Sequence, residues 1–251
     1  MDILSVVVIM LIVIGGAILM RWLSFRISSG RPVGLRPLSG YVALKTQSGR
    51  AVESGRGAHF SLGRAGLASQ ASPASIAALS ALDYLTEDGC ASDVPPLTTS
   101  GDGTLMLAAQ DSLRGAFKSA GRPGEYQPRM AQFLAGSDFA AAYAAGASDV
   151  VNSETLGSNL LLGHFGPEIA IIAEAGKRKQ LDQVIGSDDP TAMALAVTAT
   201  DKVLLGEELF VAGAYLQGKP TQVASLQLQD VMRVLAIVGI LLAALFNFVV
   251  G

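Results

Sequence analysis

Two long apolar runs lie at the ends of this 251-residue chain, and the segment between them alternates between short apolar stretches and Ala/Leu-rich helical ones. The terminal runs extend from Ile3 to Met20 and from Val234 to Val250. An apolar run of roughly 18 residues is long enough to cross the hydrocarbon layer of a bilayer as a helix. The pattern therefore predicts a transmembrane helix at each end and one domain between them.

In the central segment, short β-prone stretches recur at intervals of roughly 25 to 35 residues, and each is followed by a helical pattern. The predicted strands lie near residues 58–62, 96–99, 130–134, 159–162 and 183–185. Strands that alternate with helices are typical of βαβ units. We therefore expect an α/β fold, a Rossmann-like three-layer domain with a mostly parallel sheet, flanked by one N-terminal and one C-terminal transmembrane helix.

The hydrophobic pattern also divides the chain into segments. The predicted layout is an anchor over 1–25, a connector over 26–57, an α/β domain over 58–219, and over 220–251 a stalk helix continuing into the C-terminal transmembrane helix. Apolar spacing around Leu204 and Leu209 predicts a helix over residues 201–215. From Thr221 the helical pattern runs without a break into the second apolar run, so we expect one helix of roughly 30 residues.

Basic residues flank both apolar runs on the side of the central domain. Arg21, Arg26, Arg31 and Arg36 follow the first run, and Arg233 precedes the second. Because basic residues near a span tend to stay in the cytoplasm, both spans predict a cytoplasmic domain with the termini outside the inner membrane. The alternative is that these arginines only snorkel or solvate a linker.

Composition narrows the classes of function. Half of the residues are hydrophobic, 16% are charged and the net charge is −3, which gives no electrostatic case for a nucleic-acid partner. Cys90 is the single cysteine, so an intramolecular disulfide and a cysteine zinc site are excluded. His59 and His164 are the two histidines, and with scattered carboxylates they form no metal-ligand spacing. No metal and no cofactor are therefore predicted.

Four predicted strand-to-helix loops share Gly, Ser and acidic residues, and such loops meet where open parallel sheets bind ligands. They lie at residues 100–103, 136–138, 163–168 and 186–190. The candidate ligand-binding residues in them are Ser100, Gly101, Asp102, Gly163, His164, Gly166 and Glu168. The alternative, which the residue types favour, is that Asp and Ser cap the following helices.

Complete catalytic and phosphate-binding motifs are absent from the sequence. It contains neither G-x-x-x-x-G-K-[ST], nor G-x-G-x-x-G after a strand, nor the G-x-S-x-G elbow. No catalytic residue is therefore assigned. An enzyme that uses His164 and Glu168 is the least favoured of the functions considered.

Small residues lie in both apolar runs and predict close approach of helices. Gly239 to Ala243 has small-xxx-small spacing, and Gly15-Gly16-Ala17 lies in the first run. Lipid-facing helices carry such residues too, so self-association is favoured without being required.

Four stretches carry a resemblance that covers most of the chain. They are residues 49–53, 163–168, 206–215 and 225–233. In them the chain resembles an uncharacterised bacterial two-span membrane family with a domain of unknown function. The resemblance implies the two-anchor layout and no activity, and it supplies no catalytic residue.

These observations favour a structural or scaffolding membrane protein. We expect a homo-oligomer that forms through the transmembrane helices and the cytoplasmic α/β domain. Its partners would be the lipid bilayer, further copies of the chain and possible other membrane proteins. The alternative is a membrane-tethered module that senses a small molecule or a nucleotide.

Overall fold

The computed structural model of the chain describes residues 3–29 and 35–250. The chain divides into two compact units. One unit consists of residues 36–217, here called the domain unit, and the other contains the two terminal segments. The terminal unit includes both long apolar runs, which agrees with the hydrophobic pattern of the sequence.

The helices and strands follow one another in regular alternation through most of the domain unit. In chain order the helices are α1 Ile3–Ser28, α2 Ser39–Lys45, α3 Gln47–Ser54, α4 Ser72–Ala91, α5 Gly103–Ser119, α6 Ala140–Ser153, α7 Ile169–Arg178, α8 Pro190–Ala196, α9 Ala212–Leu216 and α10 Pro220–Val250. The strands are β1 Gly57–Gly63, β2 Leu97–Ser100, β3 Ala131–Phe133, β4 Leu156–His164, β5 Asp182–Ser187 and β6 Val203–Leu205.

The terminal unit contains α1 and α10, which pack against each other. Helix α10 has 31 residues without a break, so it is about 46 Å long at 1.5 Å per residue. This confirms the single long helix predicted from Thr221 onward. The helix begins at Pro220, where a proline is tolerated because the first helical N–H needs no partner within the helix.

A possible membrane crossing lies in α10. Among the described residues, the stretch Pro220–Leu241 is long and apolar enough to cross a bilayer by length and composition. This is weak support for membrane association. The predicted N-terminal run forms the helix α1, but no second crossing helix is identified in the described residues. The N-terminal span therefore stays a prediction.

The domain unit is built on a six-stranded sheet, as far as its described residues show. The strand order is β3-β2-β1-β4-β5-β6, and every neighbouring pair is parallel. This confirms the α/β class and the parallel sheet. All five predicted strands are present, and the short strand β6 is added at one edge.

Helices cover both faces of the sheet, as expected of a three-layer domain. On one face, Phe60, Leu62 and Leu160 belong to a buried cluster with residues of α2, α4, α5 and α9. On the other face, Leu161 and Ile185 pack among buried residues of α6, α7 and α8. Because side chains alternate between the two faces of a strand, consecutive residues of β4 enter different clusters.

The prediction of one helix over residues 201–215 is wrong. Val203–Leu205 forms β6, Gly206–Val211 is a 3₁₀-helix, and only Ala212–Leu216 is α-helical. Gly206 has a φ of +54°, which interrupts a right-handed helix and which glycine adopts without steric cost. Leu204 is fully buried because it pairs with β5, so its apolar character marks a strand.

The domain unit begins at residue 36, well before the boundary predicted at residue 58. Helices α2 and α3 lie in the segment predicted as a connector. Tyr41 in α2 stacks on Tyr215 with ring centroids 5.2 Å apart, and its hydroxyl donates to the Glu208 carbonyl at 2.7 Å. The Tyr215 hydroxyl donates to the carbonyl of Arg36 at 2.8 Å. These contacts hold the first and last segments of the domain unit together.

Gly176 in α7 allows this helix to approach polar side chains on the sheet. A Cβ at Gly176 would lie 2.4 Å from Oε1 of Gln183 and 2.8 Å from Nδ2 of Asn159. Because overpacking typically costs about 1–3 kcal/mol, Gly176→Ala should lower the melting temperature of the chain in detergent by several degrees. The matched control is Gly115→Ala in α5, where no atom lies within 4 Å of a Cβ. That control should leave stability unchanged or raise it, and equal melting temperatures for both variants would contradict the packing argument.

Candidate functional site at the carboxyl edge of the sheet

The strand order reverses between β1 and β4. From β1 the chain moves outward to β3, and it then returns to β4 on the other side of β1. In open parallel sheets, ligands bind beyond the carboxyl ends of the strands at such a reversal. The residues at this place are 63–66 after β1, 100–102 after β2 and 163–168 after β4, and they are called here the switch-point cluster.

The backbone of the switch-point cluster is tightly packed. The Arg64 N–H donates to the His164 carbonyl at 3.0 Å, and the Gly101 N–H donates to the Gly63 carbonyl at 2.9 Å. Gly163 has a φ of +144°, and a Cβ there would lie 2.1 Å from the carbonyl oxygen of Leu62. Gly163 and Gly101 therefore have a structural role, since they let three strand ends meet.

An ion pair between Arg64 and Glu168 lies inside the switch-point cluster. Nε of Arg64 lies 2.6 Å from Oε1 of Glu168, and the exposed fractions of the two side chains are 17% and 5%. The same oxygen accepts the Gly166 N–H at 2.8 Å. Arg64 also donates to the Ser137 carbonyl, which brings the predicted loop 136–138 to the same place.

The Glu168 carboxyl is held in its charged form. Burial raises the pKa of Glu168, but the hydrogen bonds from Arg64 and from the Gly166 N–H outweigh burial, so the pKa is lowered. A buried ion pair contributes little net stability, because desolvation of both charges offsets their attraction. Removal of one partner alone is costly, because it leaves an uncompensated charge.

Two of the carboxylates in these loops cap helices. The Asp102 carboxylate accepts the N–H groups of Thr104 at 2.8 Å and Leu105 at 3.0 Å at the start of α5. Asp189 caps α8 through the N–H groups of Thr191 and Ala192. These bonds lower the pKa of both carboxyls although burial opposes them. Capping, the alternative that the residue types favoured, is therefore what Asp102 does.

Ser100 is likewise engaged in local structure. Its hydroxyl donates to the Asp102 carbonyl at 3.0 Å and accepts the Asp102 N–H at 3.1 Å. Ser100 is buried, and it stabilises the turn that presents Asp102 to α5. A role in ligand binding for either residue stays a prediction.

His164 pairs with Asp188, a residue of the loop after β5. Nδ1 of His164 lies 2.7 Å from Oδ1 of Asp188, and both side chains are partly exposed. A carboxylate that binds one ring nitrogen orients the imidazole. His164 and Glu168, the two residues of the least favoured enzyme hypothesis, thus belong to different pairs. Asp188 also lines a cavity of about 370 Å³, whose wall includes the apolar side chains of Met193, Val197 and Leu205.

A chain of buried hydrogen bonds crosses the sheet below the switch-point cluster. Its members are Thr99 in β2, His59 in β1, Asn159 in β4, Gln183 in β5 and the Ala173 carbonyl in α7. The bonds measure 2.9, 2.7, 2.9 and 3.0 Å in that order. The strand register places His59 beside Asn159 and Asn159 beside Gln183.

The Ala173 carbonyl at one end of this hydrogen-bond chain determines which groups donate and which accept. A carbonyl only accepts, so Gln183 must donate to Ala173, and its Oε1 must accept from Asn159. Asn159 Oδ1 then accepts from Nδ1 of His59. Because burial keeps the ring neutral at neutral pH, Nε2 carries no proton and accepts from Thr99. Both ring nitrogens of His59 are therefore in use, with a single proton on Nδ1.

Tyr143 joins this polar region to the switch-point cluster. Its hydroxyl lies 2.5 Å from Oγ of Ser61 and is fully buried. Burial raises the pKa of Tyr143 to about 12, with hydrogen bonds from Ser61 and Thr99 opposing the rise and the charge of Glu168 adding to it. The hydroxyl is therefore protonated at neutral pH.

The structure brings the seven candidate residues to one edge of the sheet, but their partners include residues that the sequence reasoning missed. These residues are Arg64, Tyr143 and Asp188. Arg64 pairs with Glu168, Asp188 pairs with His164, and the Tyr143 hydroxyl lies beside that of Ser61. Two of them had a sequence signal. Asp188 lies in the predicted acidic loop 186–190, and Arg64 directly follows β1 in Gly63-Arg64-Ala65-Gly66, the turn where dinucleotide folds place their ligand loop.

Within the described part of the chain, no three His, Cys, Asp or Glu residues lie together as metal ligands would. Cys90 is buried, and desolvation raises the pKa of its thiol to about 11, although the charge of Arg122 opposes the rise. A thiol with this pKa carries little thiolate at neutral pH and is a weak nucleophile.

The fold and its carboxyl edge define an α/β protein with a parallel sheet in the Rossmann order. The chain belongs to the family described as Domain of unknown function (DUF6754), whose model matches residues 1–251. Neither the curated proteins nor the solved structures contain a match to the chain.

The buried imidazole of His59 predicts a loss of stability in acid. Burial lowers the pKa of His59 to about 4, and the hydrogen bond that Nδ1 donates to Asn159 opposes this lowering. Its folded-state pKa thus lies below the unfolded value of about 6.5. The contribution of His59 to the free energy of unfolding is fully present above pH 6.5. About 3 kcal/mol of it should be lost as the pH falls from 6.5 to 4, because the unfolded state binds the proton first.

NMR titration of the two imidazoles measures this directly. The His59 ring should stay neutral with the proton on Nδ1 throughout the range from pH 8 to pH 5. His164→Gln, which leaves His59 as the single histidine, is the control that assigns the signals. A His59 signal that titrates near pH 6.5 in the folded chain would show that the ring is not sealed in the sheet.

Proposed function

We propose that the chain is a membrane-anchored scaffold that assembles into a homo-oligomer through its α/β domain and its transmembrane helices. The observation that carries this proposal is the exposure of large apolar side chains at both edges of the sheet. Phe133 in β3 is 49% exposed, and Leu205 in β6 is also 49% exposed. Phe139 and Phe210, which follow these strands, are 68% and 46% exposed.

Edge strands support such an assembly for a physical reason. Within the described residues β3 and β6 each have a neighbouring strand on one side only, so their other sides have no partner strand. At β6 the Leu205 N–H donates to Oε2 of Glu208 at 3.1 Å. Natural sheets usually protect such edges with charged residues or coverage. Here an aromatic and an aliphatic side chain stand there instead, as is usual for surfaces that bind another protein.

The two edges differ, and this determines the symmetry of the contact. A β3 edge that meets the β6 edge of the next copy makes a head-to-tail contact between different surfaces. Such contacts form closed rings when the rotation between copies closes, and filaments when it does not. We propose the closed, cyclic form of this assembly.

The membrane layout is part of the same proposal. We infer two spans, α1 and α10, with the domain in the cytoplasm and the termini outside, from the apolar runs and the arginines that flank them. Among the described atoms, none lies within 4 Å of a Cβ position at Gly15, Gly16 or Gly239, and we propose that these small residues face a helix of another copy. Labelling of engineered cysteines from each side of the membrane tests the topology.

Crosslinking and native mass spectrometry of the full chain in mild detergent test the assembly. We expect a single closed oligomer, and we expect Phe133→Asp and Leu205→Asp to shift it to smaller species because a charge replaces an apolar contact. The control is Leu107→Asp in α5, which changes a leucine that is 61% exposed and belongs to neither edge strand. A wild-type chain that is monomeric at all concentrations would overturn the proposal.

The second candidate is a membrane-tethered module that binds a small molecule at the switch-point cluster. The Arg64–Glu168 pair favours it, because a nearly buried ion pair at the usual ligand position of this sheet order is poorly explained by stability alone. The Gly166 N–H donates to the carboxylate of Glu168, and an anionic ligand could accept the same N–H in place of that carboxylate. Capping by Asp102 and Asp189 argues against a large polyphosphate ligand.

A thermal-shift series on the full chain with nucleotides and small anions distinguishes this candidate. A ligand of this site should raise the melting temperature of the wild type, and it should lose this effect with Arg64→Met. The double variant Arg64→Met/Glu168→Leu is the control for folding, because it removes both charges together. If no compound in the series raises the melting temperature, the sensor candidate fails.

A further inference from the structure

A second cavity, lined by polar residues, lies at the amino edge of the sheet, opposite the switch-point cluster. It lies between α3 and the first residues of β4 and β5. It has a volume of about 190 Å³. The polar residues that line it are Gln47, Arg50, Ser54, Arg56, Ser158 and Asp182. None of them belongs to the switch-point cluster or to the exposed sheet edges.

Positive charge is in excess around this cavity. Arg50 of α3 and Lys202 before β6 both form ion pairs with the carboxylate of Asp182. Arg56 also lines the cavity, and its guanidinium has no ion pair among the described residues. Two cations thus pair with Asp182, and a third, Arg56, lines the same cavity as Asp182 without an ion pair among the described residues.

Ser158 adds an unused hydroxyl at the floor of the cavity. The residue is 3% exposed, and within the described part of the chain its hydroxyl makes no hydrogen bond. Ser158 pairs in register with Asp182, so the two side chains lie on the same face of the sheet. That is the face where Asp182 meets Arg50, hence the hydroxyl of Ser158 is directed toward α3. The Ser158 hydroxyl is not one of the fully buried, unpartnered polar atoms of the described residues, so it is accessible from the cavity and available to bind a further group.

We propose that this cavity binds the phosphate group of a phosphomonoester. A free guanidinium forms paired, charge-assisted hydrogen bonds with phosphate oxygens, and the Ser158 hydroxyl supplies a further donor. The volume admits a phosphate group with a few adjacent atoms. The group could come from a soluble metabolite or from a lipid headgroup, because the same chain carries a helix apolar enough to cross a membrane.

Two probes applied to the full chain separate these sources. Isothermal titration with inorganic phosphate in phosphate-free detergent tests the soluble source. Native mass spectrometry after incubation with phosphatidic acid or with phosphatidylcholine tests the lipid source, because only the first lipid carries a phosphomonoester. Binding of inorganic phosphate, or of phosphatidic acid in preference to phosphatidylcholine, supports the proposal and identifies the source of the phosphate group.

Substitutions connect the binding to this cavity. We expect Arg56→Ala to weaken binding at least tenfold, and Ser158→Ala to weaken it several-fold with little effect on folding. The matched control is Arg129→Ala, which removes another exposed arginine that forms no ion pair among the described residues and should leave binding unchanged. The proposal is overturned if neither probe binds, or if Arg56→Ala and Ser158→Ala bind as tightly as the wild type. The result is independent of the oligomeric state, so it does not decide the scaffold proposal.

Discussion

The hydrogen-bond chain from Thr99 through His59, Asn159 and Gln183 to α7 is the constraint on which the rest of the domain unit depends. A parallel sheet covered on both faces has no water to satisfy polar side chains, so each must find a partner in the protein. A shift of one residue between β4 and its neighbours would turn Asn159 to the opposite face and break the chain. The polar residues thereby help to determine the register of the strands. They also require close approach of α7, which Gly176 permits.

The same requirement for partners shapes the carboxyl edge of the sheet. Three polar groups there have partners within the domain unit: Glu168 pairs with Arg64, His164 with Asp188, and Asp102 with the first N–H groups of α5. These contacts connect the strand ends with one another and with the helix that follows β2. Under the scaffold proposal, the side chains at this edge serve to stabilise the fold. The sensor candidate depends on the pair of Arg64 and Glu168. This ion pair is nearly buried, and such a pair contributes little net stability because desolvation offsets the attraction of the charges.

Particular elements show how far sequence reasoning extends. Strands β1, β4 and β5 were predictable because short apolar runs end at Gly- and Asp-rich loops, and the cap at α5 was predictable from Asp102. The structure of segment 201–215 was not predictable, because its apolar spacing fits a helix. In the structure Leu204 pairs with β5, and the positive φ of Gly206 interrupts a helical path. Periodicity in a short apolar segment does not separate a buried strand from a helix.

The sequence by itself determined the α/β class, the long C-terminal helix and the glycine- and acid-rich loops, because these depend on local periodicity and local capping. Only the tertiary structure decided that Arg64 meets Glu168, that His164 meets Asp188, and that Arg56 lies beside Ser158 and Asp182. These partners are separated by 24 to 104 positions in the first two pairs, and no local pattern records such a distance. Parallel strands bring them together because each βα unit returns the chain to the same edge of the sheet.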